Sequence, residues 1–236
     1  MNRTILAIAA PLFFVGVIGA AQASSLTVTL GPAPGGTASL ENFDTGFPIA
    51  SPGTANQGNV ATTTKGWGTL ALSGAQIVQN SLSSEYAAPF NPPGSPLGSQ
   101  EATPYLSVYS GGTAIFNLNS ATNYFGLQWG SVDTYNSLSF YDHSGALIGT
   151  VQGAEVIGLG GLNAGDWGVS GTAYADISST DPIWKVIASS SGNSFEFDNV
   201  RVAQTPLPAA LPMFGAVLAG LGVFGGWRRS RRNPSA

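Results

Sequence analysis

The feature that most limits what this chain can fold into is an uncharged apolar run near its C-terminus. Leu211 to Trp227 is seventeen residues without a charge, followed at once by Arg228, Arg229, Arg231 and Arg232. As a helix the run would be about 25 Å long at about 1.5 Å per residue. That meets the short end of the about 17–25 residues that cross a bilayer. A core helix at the edge of a domain normally keeps a polar face, and this run has none. It reads as one transmembrane helix at 211–227. Arginine clusters stay cytoplasmic, so Arg228, Arg229, Arg231 and Arg232 set the orientation, and everything before the span faces outward.

The other end agrees. Met1 to Thr4 is a short basic n-region containing Arg3, Ile5 to Gly19 is an apolar h-region, and Ala21-Gln22-Ala23 is a small-x-small cleavage site. Residues 1–23 are expected to be a signal peptide, with Ser24 the new terminus. An uncleaved anchor is the alternative, and the short h-region argues against it. Both ends are addresses, so the fold must lie in residues 24–204.

Those 181 residues suffice for one domain with a sizeable core. They hold all twelve acidic residues but only Lys65, Lys185 and Arg201 as cations, a formal charge of −9. The whole-chain value of −4 conceals this split. Such a surface argues against nucleic acid as a partner, which calls for a basic patch, and against anionic lipid. There is no cysteine, which excludes disulfides, thiolate zinc sites and thiol catalysis.

Aromatic and β-branched residues come in short runs between Gly, Ser, Thr and Asn, the composition of sheet with many turns. Leu26 to Leu30 alternates as a half-buried strand does. Ser39 to Phe43, Trp67 to Leu72 and Gln76 to Val78 are weaker strands. Ala88 to Pro104 holds five prolines and reads as a loop or a boundary. Five strands are then predicted, at Tyr105–Tyr109, Ala114–Leu118, Tyr124–Trp129, Ser137–Tyr141 and Ala146–Val151. Ala114, Phe116 and Leu118 share one face, as do Phe125, Leu127 and Trp129. Asp142 to Gly145 suits a hairpin loop with a left-handed glycine. Gly158 to Gly171 reads as a Gly-rich loop, and strands follow at Ile183–Ile187 and Ser194–Val202. The expected fold is all-β, an antiparallel two-sheet jelly-roll-like sandwich.

The tail carries a resemblance. Thr205-Pro206-Leu207-Pro208-Ala209, the Gly-rich span and the closing arginines resemble the PEP-CTERM class of bacterial sorting signals. The variant it looks most like begins Val-Pro-Leu-Pro-Ala, and Thr205 stands at the position of the valine. The resemblance implies a sorting tail at 205–236, with its motif at 205–209 and an arginine cluster at 228–232. It further implies transient anchoring in the inner membrane and recognition by an exosortase, a transpeptidase-like membrane enzyme. Phe125 to Asn136, leading into Leu138 to Tyr141, together with Phe195 to Val200, resembles the ectodomains of exosortase-dependent surface proteins. That likeness implies an address and an architecture but no reaction.

Candidate chemistry is sparse. The single histidine, His143, lies in the Asp142–Gly145 turn; a Ser-His-Asp triad would need it, with Asp142 or Asp133 as orienter. No Gly-x-Ser-x-Gly elbow accompanies it. Glu155, Glu196 and Asp198 lie in or beside predicted strands. Glu196 and Asp198, two residues apart, project to one side, as a solvated face, an ion site or a glycosidase pair. Gly158 to Gly161 has the glycines of a phosphate loop but no following lysine. In jelly-roll carbohydrate modules the early and final strands jointly bind a structural calcium, and calcium takes six to eight oxygens. Glu41, Asp44, Asp198 and Asn199 are the candidate ligands here. Trp167, beside Asp166 in a loop, is the candidate glycan platform, whereas Trp129 and Trp184 read as core.

These readings converge on an exported surface or extracellular-matrix protein without enzymatic activity, structural or adhesive within a biofilm exopolysaccharide. Its expected partners are an exosortase, the inner membrane and extracellular polysaccharide. The alternatives are a carbohydrate-binding module with a defined glycan, favoured by an exposed aromatic platform in a groove, and a hydrolase, favoured by a buried carboxylate pair in a cleft.

Overall fold

The computed structural model describes residues 25–32, 34–51, 61–90 and 99–204. The expected signal peptide at 1–23, its expected cleavage point before Ser24 and the expected sorting tail at 205–236 lie outside the described residues. Among the described residues no helix is long and apolar enough to cross a membrane.

Alternating runs become antiparallel strands, and the chain is all-β. In chain order they are β1 (Leu26–Leu30), β2 (Ala38–Glu41), β3 (Ala61–Lys65), β4 (Gly68–Val78), β5 (Tyr105–Gly130), β6 (Asn136–Tyr141) and β7 (Leu147–Gln152). A helix α1 (Gly153–Gly160) follows, then β8 (Ala173–Ser190) and β9 (Phe195–Gln204). The hydrogen-bonded path runs β2-β9-β5-β8-β6-β7, with β1 also on β8 and the β3–β4 hairpin on β5.

The two long strands change neighbours partway along. The first half of β5 pairs with β4, and Thr113–Asn117 with residues 185–189 of β8. Its second half pairs with residues 173–178 of β8, while β9 pairs with both ends of β5, Phe197 lying opposite both Leu106 and Trp129. The other edge of β8 takes β1 early and β6 late. Rings from both sets of strands meet in one core: Phe125 lies 5.7 Å from Phe116 and 6.0 Å from Phe140, centroid to centroid. Both predicted core faces are found. Ala114, Phe116, Phe125, Leu127 and Trp129 are fully buried, and Leu118 packs at the margin.

Three predicted strands, at 105–109, 114–118 and 124–129, are one continuous β5, and the two weak strands after Trp67 are one β4. Gly111-Gly112 reads locally as a turn but acts as a bulge. A Cβ on Gly112 would lie 2.0 Å from the carbonyl oxygen of Gly74, where β4 bulges in the facing position. Local sequence cannot show that two strands bend together.

The Gly158–Gly171 stretch is a loop only in its middle, between a helix and a short 3-10 turn at Val169–Gly171. Gly153–Gly160 is helical, capped by Gly161 in the left-handed region, whose N–H bonds to the carbonyl of Ile157. Helix propensity here is poor because of the glycines, and burial of Val156 with packing of Ile157 overrides it. Glu155 is therefore on a helix. Trp184 is half-buried on the outer face of β8, its ring 4.5 Å from that of His143, while Ile183 and Val186 take the core. The ends of the Pro-rich tract are fastened: Glu101 N–H donates to Pro89 at 2.7 Å, and Ala88 is buried.

Candidate functional site

Four connections converge at one end of the sheet around a cavity of about 210 Å³. Residues 84–87 come from the β4–β5 connection, and Ser131, Asp133 and Tyr135 from the link between β5 and β6. Gly165 and Trp167 come from the segment after α1, and Asn193, Ser194 and Glu196 from the entry to β9.

Glu196 is the innermost acid, 1% exposed. Phe195 and Phe197 on either side face the core, so Glu196 must point the other way, under residues 84–87. Its Oε1 accepts from Ala87 N–H at 3.0 Å and from the Ser194 hydroxyl. Its Oε2 finds no partner among the described residues. Burial pushes the carboxyl up to about 8, against the lowering effect of the Ser194 and Ala87 hydrogen bonds; nearby Asp133 raises it further. Asp133 is itself raised by burial, and the Tyr135 hydroxyl, 2.8 Å from its Oδ2, opposes this. Glu85 also buries an Oε2 without a partner among the described residues.

Trp167 lines the same cavity and is 40% exposed. Its carbonyl accepts from the Gln100 side chain at 3.2 Å. Asp166, its expected partner, does not line the cavity. Its Oδ1 accepts from Gly168 N–H at 2.6 Å and closes the turn, as Asp commonly does in loops. The carboxyl groups sharing a cavity with Trp167 are Glu85, Asp133 and Glu196 instead.

The proposed calcium residues are partly gathered. β2 pairs with β9, placing Glu41 opposite Val200. Glu41 is engaged by Lys65 at 3.1 Å and by the N–H of Phe43. Asp44 accepts from Asn42 at 2.6 Å. Asp198, 1% exposed, has an Oδ1 without a partner among the described residues. Burial, with Glu101 and Asp44 nearby, pushes it up to about 9. The Asn199 amide reaches Gln128 at 2.9 Å and Asp198 at 3.3 Å. An orphaned buried carboxylate oxygen among amides fits a hard cation. Among the described residues no group of three or more His, Cys, Asp or Glu is set to hold a metal, so carbonyl and amide oxygens would have to complete the shell.

Neither Glu196 nor Asp198 lies on a solvated face, because loops cover the side of β9 away from the phenylalanines. His143 is exposed in its turn, where Asp142 accepts from Ser144 and from Ala146 N–H. It is not part of the cavity. Sequence reasoning missed Glu85, Glu101 and Tyr135. Tyr135 had a local signal in its spacing from Asp133; the two glutamates had none.

No protein-family model matches this chain, and no curated protein matches it either.

Proposed function

We propose that this chain is an exported, non-enzymatic protein of a bacterial surface or extracellular polysaccharide matrix. Its two strand sets would form a jelly-roll-like sandwich, delivered by an exosortase through the 205–236 tail. In the matrix it acts by adhesion, holding a glycan at the Trp167 cavity. The observation that carries the glycan reading is the partly exposed Trp167 at a cavity whose other lining side chains are mostly carboxyl, hydroxyl and amide groups. An amphipathic ring beside fixed polar groups suits one apolar sugar face and its hydroxyls. The cavity is smaller than the about 300–1,000 Å³ of drug-sized pockets, so it fits one ring or a chain end. A structural calcium between β2 and β9 belongs to the same reading, with Asp44, Asp198 and Asn199 as ligands and Glu41 held back by Lys65.

The test is co-sedimentation of the purified full chain in detergent with a panel of insoluble polysaccharides. At least one should retain it, and Trp167→Ala should abolish retention without changing the circular dichroism spectrum. Retention unaffected by that substitution removes the cavity from the reading. The buried Glu196 beside Asp133 favours a second reading, a glycoside hydrolase, which release of reducing ends from the retained polysaccharide would reveal.

A further inference from the structure

The cavity holds more carboxyl groups than a neutral sugar requires. Glu85, Asp133 and Glu196 all line it, together with the hydroxyl-bearing Tyr86 and Tyr135. Glu196 is 1% exposed, and its Oε2, like that of Glu85, has no partner among the described residues. An unpaired buried acceptor is unfavourable, and a charge-assisted hydrogen bond relieves it best.

No cation among the described residues supplies that partner. Only Lys65, Lys185 and Arg201 carry positive charge in residues 24–204. Lys65 pairs with Glu41 and covers Phe47. Lys185 lies 4.3 Å over the ring of Tyr141. Arg201 sits opposite Ser39 and acts on Tyr174. None of them lines the cavity.

We infer that the Trp167 cavity takes an amino sugar with a free amine, its ammonium group received by Glu85, Asp133 and Glu196. An ammonium carries three N–H donors and no acceptor, which matches a wall with three carboxyl groups. An N-acetylated amine has neither the charge nor the three donors, and a uronic acid would bring a fourth carboxylate. This inference rests on the glycan-binding reading and narrows it to one class of sugar. A bound cation favours ionised Glu196, which burial otherwise holds protonated near neutral pH, so binding releases a proton.

Calorimetry on the full chain in detergent, just below neutral pH, would use four probes: a glucosamine tetramer, its fully N-acetylated counterpart, a galacturonate tetramer and lysine amide. The glucosamine tetramer should bind at least about tenfold more tightly than the other three. Its heat should vary with buffer ionisation enthalpy, as proton release demands. Glu85→Gln, at a partly exposed position that burdens folding little, and Glu196→Gln should each erase that preference. Equal affinity for the acetylated tetramer, or tighter uronate binding, overturns the inference. Lysine amide binding as tightly as the amino sugar overturns its sugar part. If a neutral glycan binds and Trp167→Ala abolishes this, the glycan reading stands while the amine falls. If nothing binds here and no polysaccharide retains the chain, both fall.

Discussion

Gly165 lies tight against Asp133: a Cβ on Gly165 would lie 3.0 Å from the Asp133 Oδ1, so the carboxylate would have to give by a few tenths of an ångström. Gly165 also has φ +67 and donates its N–H to Val132 at 3.0 Å. The backbone that carries Trp167 is thus pressed directly onto the segment that carries Asp133. Gly165→Ala strains the left-handed backbone and pushes on the carboxylate. We expect a loss of about 1 kcal/mol of stability and a larger proportional loss of glycan retention. Urea midpoints and co-sedimentation measured on the same sample check both, and unchanged retention would show that Asp133 does not depend on this contact.

Residues 24–204 should fold without either end. Among the described residues the main buried core runs from Phe43 to Val200 and forms one continuous set of contacts within that range. Expressed alone, these residues should be soluble with β-type circular dichroism. A predominantly helical spectrum would contradict the fold.

Stability should fall as pH rises. Burial lifts the Glu196 carboxyl from 4.5 to about 8 and the Asp198 carboxyl from 3.8 to about 9. Between each pair of values the folded state holds a proton that the unfolded chain has released. The contribution is therefore fully present below the unfolded values and is lost as pH climbs through the window to about 8 and 9. Each group contributes a slope of at most about 1.4 kcal/mol per pH unit. Urea midpoints from pH 4 to pH 9 should decline, and Glu196→Gln should flatten the decline. A flat wild-type profile refutes the protonated, buried state of these acids.

Calcium, bound only by the native state, should raise the melting temperature at millimolar concentration, and a chelator should lower it. Asp198→Asn should abolish the response, because its orphaned Oδ1 is the strongest ligand offered. Glu41→Gln should leave the response largely intact, since Lys65 already engages that carboxylate. An unchanged melting curve in calcium would exclude the site.

In the proposed sorting tail, motif and span should have separable roles. Proline restricts itself and the residue before it to extended conformations, which suits a motif that an enzyme must read, and an uncharged helix would insert because its backbone groups bond internally. Pro206→Ala with Pro208→Ala should block processing but leave insertion intact. Neutralising Arg228, Arg229, Arg231 and Arg232 should instead impair retention or orientation. Fractionation and immunoblotting in the native host distinguish the two. Normal processing of the proline variant would mean that the motif is not what the exosortase reads.

Wherever the signal was local, the sequence alone determined the outcome. Alternation identifies the buried faces of Ala114, Phe116 and Leu118 and of Phe125, Leu127 and Trp129, because side chains alternate across any strand. The Asp142–Gly145 turn is legible because Gly145 alone there tolerates φ +85, and Asp142 caps its own loop. Where one strand ends and the next begins was less legible. Gly111-Gly112 has the composition of a turn, and only pairing with the bulge at Gly74 makes it a bend within β5. Helix α1 has no periodic signal strong enough to offset its glycines, and it forms because packing of Val156 and Ile157 rewards it.

Tertiary structure decided the site. Alternation places Glu196 and Asp198 together on one side of β9, yet it cannot say whether that side meets water or a loop. Segments distant in sequence, 84–87 over Glu196 and Glu101 beside Asp198, settle the question, and burial then shifts both acids toward their neutral forms. Trp184 shows the converse: alternation puts it on the side of Val186, yet it is half-buried beside His143, because the pairing of β8 with β5 breaks register between Ile183 and Lys185. Glu85, Asp133, Glu196 and Trp167 span more than eighty residues of chain. They form one cavity only because antiparallel pairing returns four connections to the same end of the sheet, a long-range relationship that no local pattern encodes.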